Sequence, residues 1–274
     1  MNEIINYFST IPSSHRALIL AGGIAFFWLI ESAVPFVKFQ YNKWQHAGIN
    51  LFFTLTTIVV NFGLALLLLK TAQWTTENSF GILNRLPELN PWLFAIIGLL
   101  LLDLIGAYLA HLVEHKVKFL WRFHLIHHTD TWIDTTSANR HHPGESVIRF
   151  IFTTLGVFLV GCPMWLVFLY QTMSVLSTQF THANISLPKK MDNFLSYFIV
   201  SPDMHKVHHH YVLPYTDSNY GNIFSVWDRL FGTFKTLDRD KLVYGVDTHM
   251  KPEENNKLSN LLSIPFQKYR SSNS

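Results

Sequence analysis

Three groups of histidines carry most of the chemistry open to this chain. His111-Leu-Val-Glu-His115, His124-Leu-Ile-His127-His128 and His205-Lys-Val-His208-His209 place imidazoles three and four residues apart. On a helix those spacings share a face, so each group aims its rings in one direction. Ser201-Pro202-Asp203 reads as the start of a helix under the third group, with a capping serine, proline at the first position and an acid in the first turn. Neutral imidazole is a ligand for iron, copper and zinc. Eight such nitrogens exceed the four that a tetrahedral zinc ion takes, and His182 offers a ninth. Two metal ions close together is the economical reading. A lone histidine is usually solvated or satisfied by neighbours, and that reading is kept for His15, His46 and His249, taken as surface or interface residues. His210 turns off the face of His205 and His209, and His141 stands beside His142 without a spacing of its own.

Other metal chemistries lack their residues. Cys162 is the only cysteine, so an internal disulfide, an iron–sulfur cluster and a cysteine zinc site are all excluded. The metals must take nitrogen and oxygen ligands. A net charge of +3 does not argue for nucleic acid.

The elements that must position these histidines are membrane helices. Only 14% of the 274 residues are charged and 49% are hydrophobic, against about 25% charged in an ordinary soluble domain. A helix needs about 20 apolar residues to cross the hydrocarbon core. Residues 17–37, 48–69 and 91–110 meet that length, and the third runs directly into His111. Residues 147–180 are too long for one crossing and hold Gly161-Cys162-Pro163 near the middle, where a reversal is readily made. A hairpin there returns His182 to the side of His111, His124 and His142. Lys38, Lys43, Lys116, Lys118, Arg122, Arg140, Arg149, Lys189 and Lys190 flank the histidine side, whereas connection 71–90 carries Arg85 against Glu77 and Glu88. The positive-inside rule then puts the histidines in the cytosol and 71–90 outside, with the N-terminus also outside. Residues 1–14 lack a basic leader, so the first span reads as a retained anchor. Residues 1–251 read as a single membrane-embedded domain and 252–274 as a polar, mobile tail.

With these motifs in order the chain resembles the fatty acid hydroxylase/sterol desaturase superfamily, membrane histidine-rich di-iron oxidases. The resemblance covers about residues 95–235 and rests on a run of motifs. These are Asp103 with His111-xxx-His115, then Leu120-Trp121-Arg122-Phe123-His124-xx-His127-His128, then Arg140-His141-His142-Pro143-Gly144-Glu145. His182-Ala183-Asn184, Ser201-Pro202-xx-His205-xx-His208-His209, Asn219-Tyr220-Gly221 and Trp227–Thr233 complete the run. It implies an all-α integral membrane bundle of about four transmembrane segments with a cytosolic helical cap. It also implies two iron ions, with O2 as co-substrate, and the hydroxylation or desaturation of a lipid. The implied ligands are His111, His115, His124, His127, His128, His182, His205, His208 and His209. The chain departs from the family at Leu112, where arginine is frequent, and at Ser186, where some hydroxylases carry a further histidine. Water held by Asn184 is the expected substitute at that second position.

Three more residues are candidates for the reaction itself: His142, Glu145 and Asp103. Asp103 is an ionisable group inside a membrane helix, a placement that usually matters, though a helix–helix hydrogen bond explains it equally well. Glu145 and Glu114 are placed to orient imidazole N–H groups, with a solvated charge as the plainer reading of Glu114. Trp227–Thr233 closes the cap. A zinc enzyme with non-oxidative chemistry and a non-enzymatic lipid-binding membrane protein are the competing readings. Oxidation of a lipid also needs electrons, and no cysteine cluster, haem site, flavin site or strand–GxGxxG–helix unit is present in the sequence. An external donor is therefore expected: a ferredoxin or cytochrome b5-like carrier with its reductase, docked on the basic face.

Overall fold

The computed structural model describes residues 1–272, and among them no β-strand forms. In chain order the helices are α1 (Asn2–Ser9), α2 (Ser13–Ala33), α3 (Lys43–Glu77), α4 (Pro91–Asp103), α5 (Ala110–Lys116), α6 (Lys118–His128), α7 (Pro143–Val160) and α8 (Met164–His182). α9 (Lys189–Leu195), α10 (Pro202–His208), α11 (Val226–Leu230), α12 (Pro252–Asn255) and α13 (Leu258–Ser263) complete the set. Among the described residues four helices are long and apolar enough to cross a membrane: α2, α3, the continuous rod Pro91–Lys116, and α7. α3, at 35 residues, is about 52 Å long at 1.5 Å per residue, longer than the hydrocarbon core. Large apolar side chains such as Phe62, Leu29 and Leu18 point outward from α2 and α3, as lipid contact requires.

Local sequence sets the helix starts. Asn42 and Asn90 accept from the backbone N–H groups of Gln45 and Trp92 at the heads of α3 and α4. Ser201 does the same for Met204 at α10, with Pro202 next in the chain, so the expected third histidine helix is present.

The reversal between α7 and α8 falls at Gly161–Pro163. Gly161 adopts φ +75, the left-handed geometry that ends α7. A Cβ there would stand 2.1 Å from the Phe80 carbonyl oxygen and 2.6 Å from Asn84 Nδ2, because connection 71–90 packs against the turn. α7 thus runs from the histidine end to the 71–90 end, and α8 returns. Gly161→Val is expected to cost about 1–3 kcal/mol in backbone strain alone, with more from the clash at Phe80. Thermal unfolding in detergent checks this, and an unchanged midpoint would refute the close approach.

Two buried clusters divide the molecule. Leu99, Leu102, Val157, Val160, Leu166 and Val167 pack α4, α7 and α8 together within the membrane part. Phe53, Leu125, Ile126, Val246, Leu261 and Ile264 form the second, under the cap. The second cluster corrects the reading of the segment from 252 onward as a mobile tail as far as residue 266: α12 and α13 fold back, with Leu261 and Ile264 buried beside α6, while residues 273–274 lie outside the described residues. Scattered apolar positions in a polar segment gave no period to detect.

Asp103 joins the two parts. Its carboxylate accepts from the backbone N–H of Ile223 (3.2 Å) and Phe224 (3.1 Å) and from Trp227 Nε1 (3.2 Å). Glu31, at the cap end of α2, similarly accepts from the backbone N–H of Thr135 and Asn184.

Candidate metal centre

All nine expected ligands meet, and they divide into two groups. His111, His115, His124, His128 and His208 form one; His127, His182, His205 and His209 form the other, with donor atoms in each within 4.8 Å of one another. α6 feeds both: His124 and His128 face one group, while His127 turns to the second. Rings of the two groups touch, with His128 stacked 4.8 Å from His209 and His205 5.3 Å from His208.

The orientation of four of the nine rings is set by outer partners. His111 Nδ1 donates to the Tyr220 carbonyl (2.9 Å), His208 Nδ1 to the Ser218 carbonyl (2.6 Å) and His182 Nδ1 to the Thr178 carbonyl (2.8 Å). A carbonyl only accepts, so in each neutral ring the proton sits on Nδ1 and Nε2 is a bare lone pair. His124 Nδ1 is held likewise by Glu145 Oε1 at 2.7 Å. The Nε2 atoms then converge: His111 to His124 at 3.1 Å, His128 to His124 at 3.2 Å, His127 to His182 at 3.1 Å and His205 to His182 at 3.1 Å. Between His111 and His124 there is no proton to share, and two facing lone pairs repel unless a cation lies among them. Nitrogens bound at about 2.1 Å stand about 3.0–3.4 Å apart for octahedral to tetrahedral angles, which matches the observed spacings. His115 Nε2 and His208 Nε2, both buried, have no hydrogen-bond partner among the described residues, as lone pairs reserved for an ion require. The residues fit a pair of metal ions.

Electrostatics keeps the donors available. Loss of water on burial, and then repulsion among neighbouring rings, holds His124, His127, His128, His205 and His209 well below the ordinary imidazole range. Burial pushes His208 down to about 3. Neutral imidazole is the form that binds metal.

The surrounding residues explain why these donors stay in place. A π turn, Leu104–Leu109, interrupts the rod just before His111 and rotates α5 relative to α4, a feature with no sequence signature. Asn219, at φ 52, donates to the Met204 and Lys235 carbonyls, and Asp228 accepts from the N–H groups of Tyr220 and Gly221. These bonds aim the Ser218 and Tyr220 carbonyls at the histidines. Sequence reasoning noticed Asn219-Tyr220-Gly221 but not that its backbone orients the rings.

Glu145 orients His124, as expected. Arg149, read from sequence as a flanking charge, contacts both acids: Nε to Glu145 Oε1 at 2.9 Å and a terminal nitrogen to Glu114 Oε2 at 2.8 Å. Glu114 is fully buried, so its reading as a solvated charge is corrected. Glu145→Gln removes the charge behind His124 and is expected to lower metal affinity about 10–100-fold, read by chelator competition. Unchanged affinity would remove Glu145 from the centre.

Other candidates fall outside the two groups. His142 is the cap of α7, its Nδ1 accepting from Gly144 N at 3.0 Å, with its ring against Phe123 and Phe266. Asp103 holds the segment after Gly221 rather than the metal groups. His141 is packed on His127, ring centres 5.0 Å apart, and His210 Nδ1 accepts from Val243 N. His46 is no surface residue: it is buried between Asp130 (2.9 Å) and Asp134 (3.2 Å). His249 is buried as well. Asn184 is tied to the Val37 backbone through both its side-chain atoms, and the Ser186 hydroxyl turns away to Arg239.

Comparison with known proteins places the histidine-bearing stretch in a known family. The model of the fatty acid hydroxylase family matches residues 95–233, a stretch that holds every one of the nine candidate ligands. The chain belongs to the fatty acid hydroxylase family. Ornithine lipid hydroxylase OlsE of Rhizobium tropici is 27% identical over 153 residues, covering 56% of this chain and 45% of the relative. Alkylglycerol monooxygenase of Caenorhabditis elegans is 30% identical over 166 residues, covering 60% of this chain and 32% of the relative. Methylsterol monooxygenase 2-2 of Arabidopsis thaliana is 30% identical over 135 residues, covering 49% of this chain and 50% of the relative. The chain thus spans half or less of the length of these relatives. No solved structure matches it.

Proposed function

We propose that this fatty acid hydroxylase family member is a membrane di-iron oxidase that uses O2 to oxidise a C–H bond of a lipid. The observation that carries the reading is the pair of adjacent groups of converging imidazole nitrogens, five and four in number. The five-donor group exceeds the four ligands of a tetrahedral zinc ion, and neither group fills six positions, so iron in either one keeps a position open. Relatives named as hydroxylases or monooxygenases of ornithine lipid, alkylglycerol and methylsterol support a lipid substrate.

Bound iron would supply an oxidant strong enough to take hydrogen from an unactivated carbon. The chain's own residues do the rest. His111, His115, His124, His128 and His208 would hold one ion and His127, His182, His205 and His209 the other, with Glu145 and the Ser218 and Tyr220 carbonyls fixing ring orientation. The buried cap limits access of water to the centre. Hydrocarbon from the membrane would approach between the helices, leaving its headgroup at the interface. Lys116, Lys118, Arg122, Lys189 and Lys190 on the cap side support a cytosolic centre by the positive-inside rule. Cysteines placed at Lys118 and Lys189 should label from the cytosol and one at Asn78 from outside; Cys162 is buried and adds little background. Labelling of position 189 from outside would overturn the topology.

The activity test is lipid mass spectrometry of the host with and without the gene, paired with metal analysis of the purified protein. About two irons per chain and an oxygenated or desaturated lipid are expected; zinc in their place, or an unchanged lipid profile, would overturn the reading. NAD(P)H alone is expected to give no turnover, and a reductase with an acidic carrier to restore it.

A further inference from the structure

The cap carries a patch of large apolar side chains that no other described residue covers. Phe194, Tyr197 and Phe198, at the end of α9 and just after it, are 63%, 67% and 62% exposed, and Leu230 of α11 is 67% exposed. Met191 and Phe231 extend the patch. Single exposed apolar residues need no explanation, but a continuous group of this size marks a surface made to contact something else. The two helices present it together. Phe194 and Phe198 pack edge to face at 5.5 Å, and Arg229 of α11 lies over the Tyr197 ring at 5.2 Å while donating to Ser196 Oγ at 3.4 Å.

The depth of the patch follows from Asp103. Asp103 precedes His111 by eight residues, about 12 Å along the rod at 1.5 Å per residue, and so lies inside the apolar run 91–110. Residues 223–227, which its carboxylate holds, are therefore drawn down beside the membrane helices, and Ile223 is buried in the membrane cluster. The end of α9 comes with them: Val200 N–H donates to the Ile223 carbonyl at 3.0 Å, and Ile199 pairs with Phe224. Phe231 stacks on Tyr108 of the rod itself, with ring centres 5.3 Å apart. The patch thus continues the lipid-facing surface of the membrane helices.

Charge at its edge suits the same neighbour. Lys189 and Lys190 open α9, both exposed and neither in an ion pair among the described residues. Exposed aromatic rings beside unpaired lysines are the composition of a helix that lies in the headgroup region of a membrane. α9 is also fixed to a histidine helix: buried Asp192 accepts from Ser201 Oγ at 2.7 Å and from Asp203 N–H at 3.2 Å, at the head of α10.

We propose that the α9–α11 face docks into the lipid leaflet on the cap side, with its aromatic residues among the acyl chains and Lys189 and Lys190 on anionic headgroups. The leaflet then holds the base of the helix that carries His205 and His208. This surface goes beyond the oxidase reading and does not depend on which metal the histidines take.

The test places a bimane label on Phe194→Cys, Phe198→Cys or Lys116→Cys of the full chain, in nanodiscs holding one chain each. Lys116 ends the same rod, about 20 Å beyond Asp103, and serves as the water-side reference. All three side chains are exposed, so no core contact is lost, and Cys162 is buried. A nitroxide-labelled phospholipid should quench positions 194 and 198 at least about 3-fold more than position 116, and aqueous iodide should give the reverse order. In discs containing phosphatidylglycerol, Lys189→Glu with Lys190→Glu should lower lipid quenching at position 198 about 2-fold, with little change in neutral phosphatidylcholine discs. Iodide quenching of positions 194 and 198 equal to that of position 116 would overturn the docking. Iodide access in one-chain discs that is lost in two-chain discs would overturn it too, by assigning the face to a second copy. A charge reversal that acts alike in both kinds of disc would overturn the headgroup contact.

Discussion

On the proposed di-iron reading, His209→Ala should leave about one iron per chain where about two are expected in the unaltered protein, and lower lipid oxidation by at least about 10³-fold. His209 is one of only four donors in its group, with Nε2 3.2 Å from both His182 and His205. Three imidazoles remain after truncation, and the cavity left behind admits water to a site whose neighbours are held neutral by burial. His127→Ala should behave alike. The five-donor group is more tolerant: His115→Ala leaves four donors, so iron there should fall less than in His209→Ala. His210→Ala is the control, since His210 contacts the Val243 backbone and no ligand group, and should keep both irons. Elemental analysis of each variant, with circular dichroism to confirm helicity, decides the matter. Full iron retention in His209→Ala and His127→Ala would sink the assignment of the second group.

The three histidine groups that converge in the fold were legible because their spacing is a local property: i, i+3 and i+4 on one helix needs no knowledge of tertiary structure. The membrane helices were legible for a similar reason, whereas length and two residue types only allowed the reversal at Gly161–Pro163, which was inferred because the histidine set needs His182 on the side of His142. The features that escaped depend on partners distant in sequence. His46 looks isolated because Asp130 lies 84 residues away, and Glu114 looks solvated until Arg149 is brought against it from α7. The carbonyls of Ser218 and Tyr220 could not be found by residue type at all, since every residue has one. Asp103 was correctly singled out as a buried acid, but its partners are backbone N–H groups about 120 residues on, so it ties elements together and does not face the metals. His142 sits in a conspicuous motif, yet in the fold its visible duty is to start α7 ahead of Pro143.

Arg140→Met should destabilise the protein by about 3–5 kcal/mol, the second large effect expected from single substitutions. Arg140 is among the largest fully buried side chains, and its guanidinium is shared out with little left over. Nε donates to the Ile126 carbonyl (3.2 Å), one terminal nitrogen to Asn50 Oδ1 (3.1 Å) and the other to the Asn255 carbonyl (2.6 Å) and Thr129 Oγ1 (3.4 Å). Asp130 lies 3.9 Å away, and it is held well below the usual carboxylate range: burial raises it, but His46 and Arg140 outweigh that. Methionine fills much of the volume, so the loss is electrostatic: it strands Asp130 beside a single cation and leaves buried carbonyls without donors. The location adds a functional consequence. Ile126 precedes His127, Thr129 comes after His128, and Asn255 belongs to the returning C-terminal segment, so one guanidinium fastens α6, α3 and α12 behind the ligands. Arg122→Met is the matched control, because Arg122 is only half-buried and reaches the Gln267 carbonyl alone. Its cost should stay near about 1 kcal/mol. Thermal unfolding in detergent with iron released on the same ramp would show Arg140→Met losing metal and structure together at a clearly lower temperature. A midpoint no lower than that of Arg122→Met would mean that the buried network does not hold the centre.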